Sequence, residues 1–452
     1  MGRLFGTDGV RGIANEGLTC ELALEIGRAA ANVLKTGGNR RRLLCAIGMD
    51  TRISSDMLAS AITAGLCSVG ADVINLGVVP TPAVAYLVEK YKCDMGIMIS
   101  ASHNPAEFNG IKIFSGDGYK LPDALEEQIE ALVLDNKSTL KNADPRDIGK
   151  VSYNTNAVRD YIDHLKSTVA FSLEGLNIAV DCANGASSMT AETLLTELGA
   201  NVHMLFDNPD GLNINEKCGS THMESLREYV VNNNLDAGLA FDGDADRFLC
   251  VDDKGNYIDG DQVMAICSLD MLERGKLPKK TVVGTIMSNL GFIKFCEAND
   301  IRFVATKVGD RFVLEEMLLE GYGFGGEQSG HIIFKDFATT GDGQLTAIQL
   351  LSITKRKGIK LSDLSDTMTK YPQTMINLTV SPEGKLAYYT DETVKEAIEN
   401  ARKVLGDDGR IVVRPSGTEP LIRVMVEGKD METIEDVAKK VASVIMERLG
   451  KK

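Results

Sequence analysis

Short apolar runs alternate along this chain with longer amphipathic stretches. That alternation of strand-like and helix-like segments favours an α/β architecture. The apolar runs share a manner of ending. Leu43 to Ile47 runs into Gly48-Met49-Asp50-Thr51-Arg52, and Met95 to Ile99 into Ser100-Ala101-Ser102-His103. Leu176 to Val180 runs into Asp181-Cys182-Ala183-Asn184-Gly185, and Ala237 to Phe241 into Asp242-Gly243-Asp244-Ala245-Asp246-Arg247. In a third pair, Thr281 to Ile286 ends at Ser288-Asn289, and Tyr322 to Phe324 ends at Gly325-Gly326-Glu327-Gln328-Ser329-Gly330-His331. Polar loops at strand ends are where open α/β sheets bind ligands.

The pattern predicts an α/β protein of three related α/β domains with mixed sheets sharing a central cleft. A smaller α+β C-terminal domain follows. Boundaries are expected in the polar stretch Asn136 to Lys150, near Asp253-Lys254-Gly255-Asn256, and at Tyr371-Pro372. They give domains 1–150, 151–254, 255–370 and 371–452. The last is expected to hold strands Met375 to Val380, Arg410 to Val413 and Leu421 to Val426, with a helix near Asp391 to Leu405. Its final helix is predicted from Ile434, Val437, Val441, Val444 and Ile445 at helical spacing, with Asp430 as N-cap.

Composition narrows the function. With 452 residues, 44% hydrophobic and 25% charged, the chain fits a multidomain globular protein. Its net charge of −15 argues against general binding to nucleic acid or anionic membranes. Any anionic substrate must then be held by local basic groups; the Arg40-Arg41-Arg42 run reads as a solvated turn. Nine cysteines show no C-x-x-C pair and no zinc spacing, so buried, reduced thiols are expected. No apolar leader core, myristoylation signal or membrane-length segment appears, which predicts a cytoplasmic protein without membrane partners.

Asp242, Asp244 and Asp246 alternate on what reads as an extended segment, which would put three carboxylates on one side. Such like charges repel without a cation, and hard oxygen ligands suit Mg²⁺ beside a phosphate. An EF-hand is excluded because its sixth position needs Gly and holds Arg247 here. Ser102 is a candidate nucleophile that would need a base, a metal or prior phosphorylation; its loop lacks the flanking glycines of a hydrolase elbow. Lys112 lies close behind in sequence. The glycine-rich Gly325 to His331 loop offers Glu327, Ser329 and His331 to sugar hydroxyls, an amine or phosphate. Arg414-Pro415-Ser416-Gly417-Thr418-Glu419-Pro420, followed by Arg423, combines hydroxyls, backbone N–H groups and guanidinium groups that suit a phosphate. Gly6 to Gly12 could approach a ligand closely. No dinucleotide fingerprint or Walker A sequence is present.

Together these loops resemble the α-D-phosphohexomutase superfamily over nearly the whole chain. The phosphoserine, metal, sugar and phosphate signatures occur in the family order, and Phe5 to Gly12 with Gly326 to His331 look like its bacterial hexosamine-phosphate branch. The resemblance implies that Ser102 is a phosphoserine and that Asp242, Asp244, Asp246 and a phosphoserine oxygen hold Mg²⁺. It implies transfer to O1 of glucosamine 6-phosphate, a 1,6-bisphosphate that turns over, and release of glucosamine 1-phosphate for amino-sugar and cell-wall precursors. Arg11, Lys112 and His331 would assist proton transfer and charge stabilisation. Arg247 would support the metal loop, and His103 would face the substrate. Glu327, Ser329, Lys307, Val308 and Gly309 would contact the sugar; Arg414, Ser416, Gly417, Thr418 and Arg423 would grip the other phosphate. Relatives suggest a homodimer. Two other readings are a phosphomannomutase/phosphoglucomutase and a Mg²⁺-dependent sugar phosphatase with Asp242 as nucleophile.

Overall fold

The computed structural model describes residues 3–6, 8–35, 42–135, 139–416 and 420–450. Arg40, Arg41 and Asn136 lie outside them. The chain forms two compact units, Met1–Val283 with Gly309–Asp366, and Gly284–Val308 with Thr367–Lys452. Among the described residues no helix is long and apolar enough to cross a membrane.

In the first unit, strands β1 (Val10–Ile13), β2 (Leu44–Met49), β3 (Asp72–Val78), β4 (Met95–Ile99), β5 (Phe108–Ser115) and β6 (Val151–Tyr153) make one sheet, ordered β1-β5-β4-β2-β3-β6. Only β5 runs against its neighbours. A second sheet, ordered β11-β10-β9-β7-β8, joins β7 (Asn177–Asp181), β8 (Asn201–Leu205), β9 (Ala237–Phe241), β10 (Phe248–Asp252) and β11 (Tyr257–Ile258). Its β7, β8 and β9 are parallel, and β10 is antiparallel to β9. Next come β12 (Thr281–Thr285), β14 (Phe324–Gly326) and β15 (Ile332–Phe334), while β13 (Arg302–Thr306) falls in the second unit. β12 pairs parallel with β14 at Val283 and Gly325, and β14 pairs antiparallel with β15.

The internal repetition thereby takes a specific form. In β4–β5, β9–β10 and β14–β15, a polar loop links a strand to an antiparallel partner. The buried strands β4 and β9 are continuous apolar runs, as strands covered on both faces require. Helices Cys20–Lys35 and Ser55–Ser68 cover the first sheet and meet at glycines. A Cβ on Gly27 would lie 2.7 Å from the Ile62 carbonyl, so only glycine permits that approach.

In the second unit β16 (Gln373–Thr379), β17 (Gly409–Pro415) and β18 (Leu421–Gly428) form an antiparallel sheet, ordered β16-β18-β17. Helices Glu392–Leu405 and Met431–Leu449 pack on it through Val394, Ile398, Ile434, Val437, Val441 and Ile445. Full burial of each such side chain contributes about 2 kcal/mol. The Asp430 side chain accepts from Thr433 N–H, as an N-cap should.

Two boundaries differ from expectation. Gly325 and Gly326 lie inside β14, not in the loop after it, because they pair with Ile333 and Ile332 and a Gly325 Cβ would sit 2.7 Å from the Val283 carbonyl. Arg414 and Pro415 belong to β17, where pairing with β18 overrides the poor strand propensity of proline.

His164 joins helix Ala157–Ser167 to the chain after β15. It stacks on Tyr86 with centroids 3.9 Å apart, and its Nε2–H donates to the Phe337 carbonyl at 2.9 Å. Burial holds its pKa below the usual value, partly offset by that bond. The unfolded chain therefore takes up a proton near pH 6.5 that the native state refuses, so stability falls on acidification. Urea unfolding between pH 7.5 and 5.5 is expected to show a shallower loss in His164→Gln than in wild type; equal slopes would refute this.

Candidate active site

β4 delivers the nucleophile loop. Ser102 is buried, with only 1% exposure, and has φ +54°, a left-handed value rare for a residue with a Cβ. Its N–H donates to Ser100 Oγ at 2.9 Å, and its Oγ donates to Asp242 Oδ2 at 2.6 Å. His103 Nδ1 lies 3.3 Å from that Oγ. Burial, then Arg247 and Arg11, push the His103 pKa down to about 4, which leaves the ring neutral at physiological pH.

The aspartate loop departs from the extended geometry expected for it. Residues 242–246 coil into a turn, closed by Ala245 N–H donating to the Asp242 carbonyl at 3.0 Å, with Ala245 at φ +56°. The carboxylates converge because the chain coils, not because side chains alternate. One oxygen from each lies within 4.8 Å of the others. Asp244 Oδ2 accepts from Thr81 Oγ1 at 2.6 Å and Lys112 Nζ at 2.8 Å, while Asp246 Oδ2 accepts from Lys112 at 3.2 Å. Asp244 Oδ1 and Asp246 Oδ1 are buried without a hydrogen-bond partner. Such orphan acceptors are costly unless a cation or water meets them.

The electrostatics divide the three carboxylates. Burial, then Asp246 and Asp244, raise the Asp242 pKa to about 8. Burial would raise Asp246 as well, but Lys112 and His331 outweigh it and hold that carboxylate well below the usual range. Lys112 projects from β5 and stays charged despite complete burial, because Asp244, Asp246 and Asp8 surround it. Arg11, on β1, contacts Asp8 and lies 3.4 Å from Asn104 Oδ1.

A chain of alternating charge continues from there. Lys120 Nζ bridges Asp8 Oδ1 and Asp310 Oδ2, each at 2.6 Å. Asp310 Oδ2 lies 3.5 Å from His331 Nε2, and His331 Nδ1 lies 3.7 Å from Asp246 Oδ1. Gly341 N–H donates to His331 Nε2 at 3.0 Å, which puts the proton on Nδ1, towards Asp246. Arg247 Nε sits 4.0 Å from both Asp242 and Asp246.

The β14–β15 hairpin is keyed to this cluster through its backbone. Phe248 N–H donates to the Gly330 carbonyl at 3.0 Å, and Gly330, at φ +92°, lies too close to the Phe248 carbonyl for any Cβ. Glu327 accepts from Gly309 N–H at 3.0 Å, its pKa raised by burial, and Ser329 Oγ is buried without a partner.

The first unit thus gathers Ser102, His103, Arg11, Lys112, the three aspartates, Arg247, Glu327, His331 and Gly309, with Ser329 in the same hairpin turn. Lys307, Val308, Arg414, Ser416 and Arg423 belong to the second unit. Gly417 and Thr418, like Thr7 in the first glycine-rich segment, lie outside the described residues. Sequence reasoning gave no role to Thr81, Lys120, Ser100 or Asn215. Thr81 begins a helix behind Pro80 and Ser100 lies in the loop of Ser102, both local cues; Lys120 and Asn215 reach the site by tertiary contact alone.

In the second unit Arg414 and Arg423 are direct partners across β17 and β18, and Arg414 Nε is buried with no hydrogen bond. Like charges opposed in a ladder destabilise it, and burial with Arg423 lowers the Arg414 pKa. An anion there would relieve both. Arg414→Ser is expected to melt no lower than wild type in phosphate-free buffer, gaining about 0.5 kcal/mol, and to respond less to added inorganic phosphate. A variant destabilised without phosphate would refute this.

The chain matches the phosphoglucomutase/phosphomannomutase α/β/α domains I, II and III over residues 2–140, 159–255 and 259–371, and the C-terminal domain of that family over 375–444. It belongs to the phosphoglucomutase/phosphomannomutase family and is an isomerase of the phosphotransferase mutase type. Its curated relatives include the phosphoglucosamine mutase of Thermoanaerobacter sp. strain X514, 54% identical over 450 residues and 100% of both chains. Among solved structures, a phosphoglucomutase/phosphomannomutase family protein from Burkholderia thailandensis superposes with TM-score 0.83 at 21% identity, covering 99% of each chain. Aspergillus fumigatus N-acetylphosphoglucosamine mutase, in complex with GlcNAc-6P and magnesium, gives 0.72 at 16% identity, over 99% of this chain and 96% of that one.

Proposed function

We propose that this chain interconverts glucosamine 6-phosphate and glucosamine 1-phosphate through a phosphorylated Ser102 and a 1,6-bisphosphate. One observation carries the reading: a buried serine donates at 2.6 Å into a converging aspartate trio, in a chain 54% identical throughout to a phosphoglucosamine mutase. A cytoplasmic location and a homodimer are part of the same reading.

The donor set fits Mg²⁺. Three carboxylates, two with an orphan buried oxygen, are the hard ligands that this ion prefers, and a phosphoserine oxygen would add a fourth. When bound, the ion would offset charge on the transferring phosphoryl group. Asp242, Asp244 and Asp246 would hold it. Lys112, kept charged by its aspartates, would approach the phosphoryl oxygens, with Arg11 on the same side. His331 presents Nδ1–H for charge stabilisation and proton transfer. As the sugar O1–phosphorus bond forms, the bond to Ser102 Oγ breaks; in the return step the O6–phosphorus bond breaks as the bond to Ser102 Oγ forms again. Glu327, Ser329, Gly309, Lys307 and Val308 would hold the sugar, while Arg414, Ser416, Gly417, Thr418 and Arg423 would hold the idle phosphate. The phosphatase reading fares worse, because Ser102 and Arg247 N–H already engage both oxygens of Asp242.

Intact mass and kinetics test the core of this. Wild type should carry phosphate on Ser102 and turn over glucosamine 6-phosphate with a higher kcat/KM than glucose or mannose 6-phosphate. Ser102→Ala should lose both phosphate and turnover; full activity in that variant would end the mutase reading.

Cation binding supplies a pH test. Asp242, held near 8, must give up its proton to become a ligand, so Mg²⁺ affinity should climb as pH rises towards about 8. Calorimetry in buffers of different ionisation enthalpy should find close to one proton released at pH 7. Binding without proton release would show that Asp242 is already ionised before the cation arrives.

A further inference from the structure

Arg52 has a guanidinium with no solvent exposure and no part in the transfer chemistry described above. A guanidinium offers five N–H donors in a rigid plane, and here each has an acceptor. Nε meets Asp50 Oδ2 at 2.9 Å. Nη1 donates to the carbonyls of Pro105 and, at 3.0 Å, Phe108. Nη2 donates to those of Ser102 at 2.9 Å and Asn104 at 2.8 Å. Four donors therefore end on the main chain of the loop that carries the nucleophile. Asn215 gives its amide to two of the same oxygens, Ser102 at 2.9 Å and Asn104 at 3.0 Å.

The two clamping segments are themselves joined. Ile53 N–H donates to the Gly211 carbonyl at 2.9 Å, and Thr51 Oγ1 to that of Asn184 at 2.6 Å. Asn215 N–H donates to the Ala183 carbonyl at 2.9 Å. Gly243 closes the other side, where a Cβ would stand 2.6 Å from the Ser102 carbonyl.

Burying a charge is costly, and closing a turn does not require it. Backbone bonds from Asn104 to Ala101 and from Phe108 to Pro105 already close this one. What the guanidinium adds is direction. With the carbonyls of 102 and 104 fixed to one side and Ser102 at φ +54°, the serine N–H reaches Ser100 and its Oγ reaches Asp242.

We propose that Arg52, seconded by Asn215, is a positioning residue for phosphoryl transfer: it holds Ser102 in the left-handed backbone conformation that aims Oγ at the aspartate loop. The proposal deepens the mutase reading and rests on it. Lysine cannot substitute, because three donors radiating from one nitrogen do not match carbonyls spread over a plane.

The test uses phosphorylated full-length enzyme with Mg²⁺ and glucosamine 6-phosphate, in Arg52→Lys and Asn215→Ala. Single-turnover loss of phosphate from Ser102 should slow on the order of 10²-fold in the first and about tenfold in the second. KM should stay within about twofold, since a misaimed nucleophile costs transition-state and not ground-state binding. The ³¹P resonance of the phosphoserine should shift or broaden in both, which loss of stability alone would not produce. Transfer within about twofold of wild type in folded variants, or a raised KM at unchanged kcat, overturns the proposal. If Arg52→Lys does not fold, Asn215→Ala decides by the same criteria. Failure of the mutase reading looks different: wild type itself would then hold no transferable phosphate on Ser102.

Discussion

Mutual repulsion among Asp242, Asp244 and Asp246, held in a buried turn, is the constraint that shapes the first unit around it. The penalty for crowding carboxylates away from water is several kcal/mol per ion unless cations or hydrogen bonds meet them. The fold meets it with groups drawn from far along the chain. Lys112 comes from β5, Thr81 from a helix start, Arg247 from the loop's own end and His331 from the β14–β15 hairpin. All but Arg247 require a separate strand or helix end to arrive in register. Docking of the surrounding segments is therefore coupled to neutralising one loop, and a loss at any of them is felt electrostatically at the others.

The same loops carry much of the backbone strain. Ser102, Ala183, Asn184, Asn215 and Ala245 all take positive φ without being glycine. Such conformations persist only where surroundings over-determine them, and they gather at functional sites. Here the surroundings can be named: Arg52 and Asn215 around Ser102, the Asp242 carbonyl behind Ala245, and Asp181, which accepts from Ala183 and Gly219 N–H. Burial raises the Asp181 pKa to about 7, so even this supporting carboxylate is a compromise between desolvation and hydrogen bonding.

Much of this was legible in the sequence, and the limits have physical reasons. β4 and β9 stand out because strands buried on both faces need unbroken apolar runs, and their ends carry the Ser102 and aspartate loops. The aspartate trio was legible as a convergent carboxylate cluster from composition and spacing, but not its geometry, because a turn and a strand can both converge three carboxylates. β5 was hidden: Asn109-Gly110 reads as turn chemistry, yet Gly110 is there because a Cβ would strike the Ser100 carbonyl. Lys120 and Asn215 left no local trace, since their partners lie 112 and 113 residues away. Arg414 read as part of a loop because proline follows it, whereas β18 pairs with both.

Counting charge sharpens the tie between cation and phosphoserine. Asp8, Asp242, Asp244, Asp246 and Asp310 face Arg11, Lys112, Lys120, Arg247 and His331 in one connected network. Its carboxylates and its cationic groups are closely matched in number. A phosphoryl group on Ser102 adds close to two negative charges, and a divalent cation adds two positive ones. Either alone would unbalance a buried cluster in which uncompensated charge is expensive; together they leave the balance where it began. The electrostatics therefore favour an enzyme that is loaded with both or with neither. Under the proposed function, the aspartate turn would hold its cation according to the state of the serine 2.6 Å away.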